Sequence, residues 1–152
     1  MLLLNNIIGG PGLNSLLNVA LRERCGYVYT VESAVINYTD TGVFSVYFGT
    51  ESKHVKRCLS HIRTELDKLC RSQLTFSRVA AAKKQYLGQL LVAEDNNEGL
   101  ALAIGKGFLR HGVVLSQEEQ TRRIESVSVE ELRKIAVEML DTDSWSLLSF
   151  EP

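Results

Sequence analysis

The run Gly9-Gly10-Pro11-Gly12 breaks the chain early and decides what can flank it. Proline lacks a backbone N–H and fixes its own φ, and glycine loses the most freedom inside a regular element. Neither a helix nor a central strand passes through these four residues. The apolar run at residues 2–8 therefore ends here, as the last part of a helix, and a new element starts beyond it. From Leu13 to Arg24 the apolar residues Leu13, Leu16, Leu17, Ala20 and Leu21 recur at helical spacing. Arg22 and Arg24 fall in the last turn, where cations suit the helix dipole, and Gly26 stands where a left-handed C-terminal cap belongs.

Residues 27–38 are rich in Tyr, Val, Thr and Ile and alternate with a period near two. Thr39-Asp40-Thr41-Gly42 then turns the chain into Val43-Phe44-Ser45-Val46-Tyr47-Phe48, which makes an antiparallel hairpin. Between Lys53 and Cys70, the residues Val55, Leu59, Ile62, Leu66 and Leu69 form a one-sided apolar stripe of helical period. Further helices are predicted from about Thr75 to Glu94 and from Gly99 to Arg110. Two short ones open with capping boxes, Ser116 with Glu119 and Ser128 with Glu131, the second with a hydrophobic staple of Val127 against Leu132. Ser144 to Phe150 reads as a terminal strand. The sum is an α+β fold, a largely antiparallel sheet covered on one face by about six helices. Three strands are few for so many helices, so residues 1–152 are expected to be a single partial domain whose N-terminal strands lie upstream in a longer protein.

Composition narrows the function classes. Seventeen Lys+Arg against 18 Asp+Glu give a net charge of -1, which argues against a broad nucleic-acid footprint or a polybasic membrane surface. No apolar stretch approaches the ~20 residues of a membrane-spanning helix. Met1-Leu2-Leu3-Leu4 lacks the basic flank and cleavage site of a signal peptide, and the sequence specifies no compartment. Cys25, Cys58 and Cys70, an odd number at wide spacing, read as free thiols rather than a disulfide framework or zinc ribbon.

No nucleophile elbow, phosphate loop or dinucleotide fingerprint occurs, and neither H-E-x-x-H nor H-x-x-E-H can be written from the three histidines. His54, Cys58, His61 and Glu65 project from one side of one predicted helix and are all possible metal ligands. Their heads spread over about 16 Å at 1.5 Å per residue, so one ion could reach two or three at most, and the stripe reads better as a boundary between core and solvent. The Gly9–Gly12 turn could cradle an anion, but it lacks the Lys or Ser/Thr of a phosphate loop and reads as a tight turn between helices. Arg22 and Tyr29 are the sharper candidates. The helix delivers a guanidinium in its last turn, Gly26 reverses the chain, and Tyr29 enters the strand three residues later, so both side chains can reach one corner. A guanidinium donates fixed, always-charged hydrogen bonds, and a phenol can donate to a carbonyl oxygen as negative charge develops there. By spacing alone, a surface arginine and a sheet-packed tyrosine are the better account of the pair.

The stretch from Asn6 to Ser33, with Gly9-Gly10-Pro11-Gly12-Leu13-Asn14-Ser15 and Leu21-Arg22-Glu23-Arg24-Cys25-Gly26-Tyr27-Val28-Tyr29-Thr30-Val31, resembles the second half of pitrilysin-type (insulinase-like) zinc peptidases. It is most like the mitochondrial-processing-peptidase-like branch. The downstream order of hairpin, amphipathic helix, long helix, Ser128 helix and closing strand agrees. In that family two homologous α+β halves close on an unfolded peptide. The first carries H-x-x-E-H and the zinc; the second lacks them but lends an Arg and a Tyr that reach the substrate. The resemblance places these on Arg22 as substrate-binding and on Tyr29 as substrate-binding and catalytic support for the carbonyl. It implies no metal in this chain, zinc in an absent N-terminal half, and two partners, namely that catalytic half and a peptide. Cys25, Tyr27 and Leu16 depart from the family's usual residues, which bears on specificity rather than on the role. The competing expectation is a zinc-free scaffold domain of a non-peptidase relative of the core-subunit kind.

Overall fold

The computed structural model describes residues 1–38 and 40–150, with the side chains at 72, 73, 94, 110, 111 and 142 outside the description. The chain divides into two compact units, Met1–Thr75 with the chain from Val129 onward, and Phe76–Ser128.

In the first unit, α1 (Leu2–Gly9) ends at the glycine turn as the sequence dictates, its Leu3, Leu4, Ile7 and Ile8 buried. Residues 11–15 are turns rather than helix, and Leu13 lies 65% exposed. The predicted helix therefore starts later than its apolar spacing implies. The turn-forming Gly12 and Ser15 take local bonds instead: Ser15 N–H donates to Gly12 C=O at 3.0 Å, and Asn18 Nδ2 donates to Ser15 Oγ at 3.0 Å. From Asn18 to Arg24 the helix has π geometry. It closes with Gly26 in the left-handed region at φ +61°, Tyr27 N–H donating to Leu21 C=O at 3.0 Å and Gly26 N–H to Arg22 C=O at 3.1 Å, each reach lengthened by the π geometry.

The hairpin follows as β1 (Val28–Asn37) and β2 (Gly42–Thr50), antiparallel. Its register pairs Val31 with Phe48 and Ser33 with Val46. Val28, Val31 and Ser33 of β1 are buried, and β1 packs against α1 and the π-helical segment. Ser33 Oγ donates to Asn5 C=O at 3.2 Å, tying strand to helix. Next comes α2 (Val55–Lys68), entered by a short 3-10 turn and continued by a second π turn, Leu69–Gln73. Ile62, Leu66 and Leu69 of the predicted stripe are buried, joined by Cys58 and Glu65 rather than by Val55 and Leu59. The face that meets the core is thus rotated toward residues expected at its border. Helix α6 (Val129–Met139) packs against the Leu69–Gln73 turn and buries Leu132 and Ala136.

The terminal strand expected at Ser144–Phe150 does not form. A 3-10 turn at Thr142–Ser144 is followed by irregular chain with Leu147, Leu148 and Phe150 exposed, and among the described residues the sheet holds two strands. Trp145 lies under the Arg63 guanidinium, 5.7 Å from its ring centre.

The second unit comprises α3 (Phe76–Glu94), α4 (Asn97–His111) and α5 (Gln117–Ser126), with α3 packed against both others. Ser116 Oγ accepts from Glu119 N–H at 3.2 Å, the predicted cap of α5, and Gly112 at φ +70° closes α4. No helix among the described residues is long and apolar enough to cross a membrane.

Candidate functional site

Between the end of α1, the π-helical segment and β1 lies a crevice of about 300 Å³. Gly9, Gly10 and Pro11 line one side, Thr30–Ser33 another, and Arg22 is also on its lining. Glycine is required at the near wall. A Cβ on Gly9 would meet Ser33 N at 2.7 Å and Ser33 Oγ at 2.8 Å, and one on Gly10 would overlap the Asn6 carboxamide and backbone. The glycine run that breaks the first helix thus also lets helix end and strand approach closely enough to frame the crevice. Asn5 Oδ1, also on its lining, is buried without a hydrogen-bond partner among the described residues.

Each candidate side chain sits on irregular backbone. Arg22 lies in the π-helical segment, exposed, and forms no ion pair among the described residues. Tyr29 is the extra residue of a β-bulge: Val28 pairs with Thr50 and Thr30 with Gly49, which leaves Tyr29 without an opposite number. Bulges and π turns re-aim a side chain that regular geometry would bury or point elsewhere, and both recur beside functional sites. Here the bulge leaves the ring 72% exposed. Tyr29 does not itself line the crevice, although the next residue, Thr30, does. Its hydroxyl is turned to the end of β2, donating to Glu51 Oε1 at 3.4 Å. The other carboxylate oxygen of Glu51 meets Lys53 Nζ at 2.6 Å. That ammonium, bonded and close in charge, holds the Glu51 carboxyl below its ordinary range, and Glu51 in turn raises the Lys53 pKa. Sequence reasoning missed Glu51 and Lys53. The signal was present in their position just beyond β2, but only the bulge brings Tyr29 to them.

The four side chains considered as metal ligands are engaged separately. The ring of Tyr27 stacks on His54 at 4.7 Å between centroids and meets His61 at 5.8 Å. Cys58 is buried and its thiol points to Thr50 Oγ1 at 3.9 Å, while Glu65 accepts from Lys68 Nζ at 2.8 Å. Burial pushes the Cys58 thiol pKa up, away from the thiolate a metal needs. Among the described residues no three His, Cys, Asp or Glu side chains gather to hold an ion. Calorimetric titration of the chain with zinc at pH 7 is expected to give no stoichiometric heat, and a one-to-one isotherm would overturn that reading.

Helices packed on an antiparallel hairpin, with an arginine at a glycine-walled crevice, define an α+β class of domain. The chain matches the family described as the Peptidase M16 inactive domain over residues 1–86, and it belongs to that family. An uncharacterized zinc protease of Streptomyces coelicolor is 32% identical over 90% of this chain, which spans 30% of that relative. One from Bacillus subtilis is 26% identical over 100% of the chain and 37% of its own length. The chain thus covers about a third of each of these relatives. The crystal structure of a peptidase M16 inactive domain from Pseudomonas fluorescens superposes with TM-score 0.75 at 22% identity, over 93% of this chain and 34% of that one. A conserved protein from Enterococcus faecalis gives TM-score 0.76 at 24% identity, over 89% of this chain and 31% of its own. These structures share the α+β fold.

Proposed function

We propose that this chain is the substrate-clasping, zinc-free half of a zinc-dependent metalloendopeptidase of the smaller bacterial and organellar-processing kind, acting on unfolded peptides. The metal belongs to a separate catalytic half, in the same polypeptide or in a partner subunit. The observation that carries this reading is Arg22, a guanidinium free of any carboxylate among the described residues, at a crevice bordered by β1. An unpaired, permanently charged donor with a rigid fork suits the carbonyl oxygens of an extended peptide. Tyr29, exposed on its bulge at the adjoining position, donates a hydrogen bond from its hydroxyl to the substrate carbonyl as charge builds on that oxygen. The extended peptide itself pairs with a sheet edge of the catalytic half. Membership of the M16 inactive-domain family and the zinc protease names of the relatives support the reading.

The test is reconstitution. The chain alone is expected to cleave no unfolded peptide, and adding it to a zinc-bearing half is expected to restore cleavage. Hydrolysis by the chain alone, or a stable complex of the two halves without activity, would overturn the assignment. The latter outcome would favour the scaffold alternative.

A further inference from the structure

A phenol carries one proton to donate, and in this structure Tyr29 gives it to Glu51. Resting on the role proposed for Tyr29, we infer that Glu51 is a positioning residue that latches the phenol when no substrate is bound and competes with the substrate carbonyl for its proton. The geometry for a latch is built by the backbone. The bulge at Tyr29 swings the ring toward the end of β2, and Glu51 is the residue immediately beyond β2. Lys53 Nζ occupies Glu51 Oε2 at 2.6 Å, which leaves Oε1 for the phenol at the longer 3.4 Å. The division matters. A carboxylate bound only to the phenol would hold it tightly, whereas one already engaged by an ammonium offers a weaker acceptor that a substrate carbonyl can displace. Both partners are exposed, so the bond exchanges with water and releases readily. The latch therefore biases the phenol toward the end of β2 without fixing it there.

Two measurements separate this inference from the reading on which it rests. In the chain labelled with ¹³C at the tyrosine Cζ, the Tyr29 resonance is expected to move as Glu51 titrates in acid. Glu51→Gln, which cannot titrate, is expected to abolish that step while keeping the fold. A Tyr29 signal flat across the Glu51 titration would overturn the latch, whatever the kinetics show. In the chain paired with a zinc-bearing half, Glu51→Ala is expected to raise kcat/KM by about twofold to threefold, and to have no effect in the Tyr29→Phe background. An equal change in both backgrounds would show that Glu51 acts on something other than the phenol and would overturn the inference. If Tyr29→Phe itself leaves kcat/KM unchanged, the proposed role of Tyr29 fails, and the competition with substrate fails with it even where the resonance reports the bond.

Discussion

Arg22→Ala and Tyr29→Phe, each placed in the chain combined with a zinc-bearing half, are expected to lower kcat/KM tenfold or more, about 1.4 kcal/mol of transition-state binding apiece. The two losses differ in kind. In the proposed role Arg22 holds peptide backbone in both the bound and the activated complex, so its removal is expected to raise KM as well as lower kcat. In the role proposed for it the Tyr29 hydroxyl matters most once negative charge develops on the carbonyl oxygen, so Tyr29→Phe is expected to fall mainly on kcat. Arg22→Lys is expected to recover little, because an ammonium keeps the charge but not the planar fork. Neither change disturbs the core: both side chains are exposed, and substitutions of this type shift stability by less than about 0.5 kcal/mol. Thermal melts of the two variants should overlay that of the parent chain, which separates lost clasping from lost folding. Unchanged kinetics in both variants would remove the role assigned to this corner.

Much of that corner is legible in the residues, and the rest is hidden for identifiable reasons. Gly9-Gly10-Pro11-Gly12 dictates the end of α1, and Gly26 with the preceding arginines dictates the cap that turns helix into strand; both form as read. Local chemistry governs these features, so one sequence suffices. The π geometry of Asn18–Arg24 and the bulge at Tyr29 leave no such mark. A π turn has no residue type of its own to announce it inside a helical apolar pattern, and a bulge costs one unpaired residue that alternation over Tyr27–Tyr38 cannot locate. These two irregularities nonetheless decide where the guanidinium and the phenol go. The terminal strand fails for the opposite reason. A strand needs a ladder partner, and Ser144–Phe150 contains nothing that says whether a free edge lies within reach. The buried Cys58 and Glu65 show the same limit on α2, where tertiary packing rather than the helical period selects the face that meets the core.

Gly9→Ala is expected to be damaging because it drives helix and strand apart at the crevice wall. Its Cβ would stand 2.7 Å from the backbone nitrogen of Ser33 and 2.8 Å from Ser33 Oγ, closer than such atoms approach. The first contact is with backbone, so no side-chain rotation relieves it. Ser33 is fixed by its pairing with Val46 across the hairpin and by its hydroxyl donated to Asn5 C=O at 3.2 Å. The methyl therefore has to push α1 away from β1, loosening the buried Leu4 and Ile8 and widening the crevice wall at Thr30–Ser33. Overpacking of this kind costs about 1–3 kcal/mol. Ser33→Ala added to Gly9→Ala should recover little, since the backbone contact persists and the tie to Asn5 is lost. Gly26→Ala provides the contrast. Its φ of +61° strains any residue with a Cβ, by roughly 1–2 kcal/mol, but no atom lies within 4 Å of the added carbon. The two variants should then part in function. Gly9→Ala, which deforms the crevice wall, is expected to lower kcat/KM of the reconstituted enzyme even below its melting range, while Gly26→Ala loses stability with a smaller kinetic change. Urea unfolding and steady-state kinetics on both variants decide the matter, and a Gly9→Ala chain that unfolds and clasps like the parent would show that close approach of α1 to β1 does not frame the site.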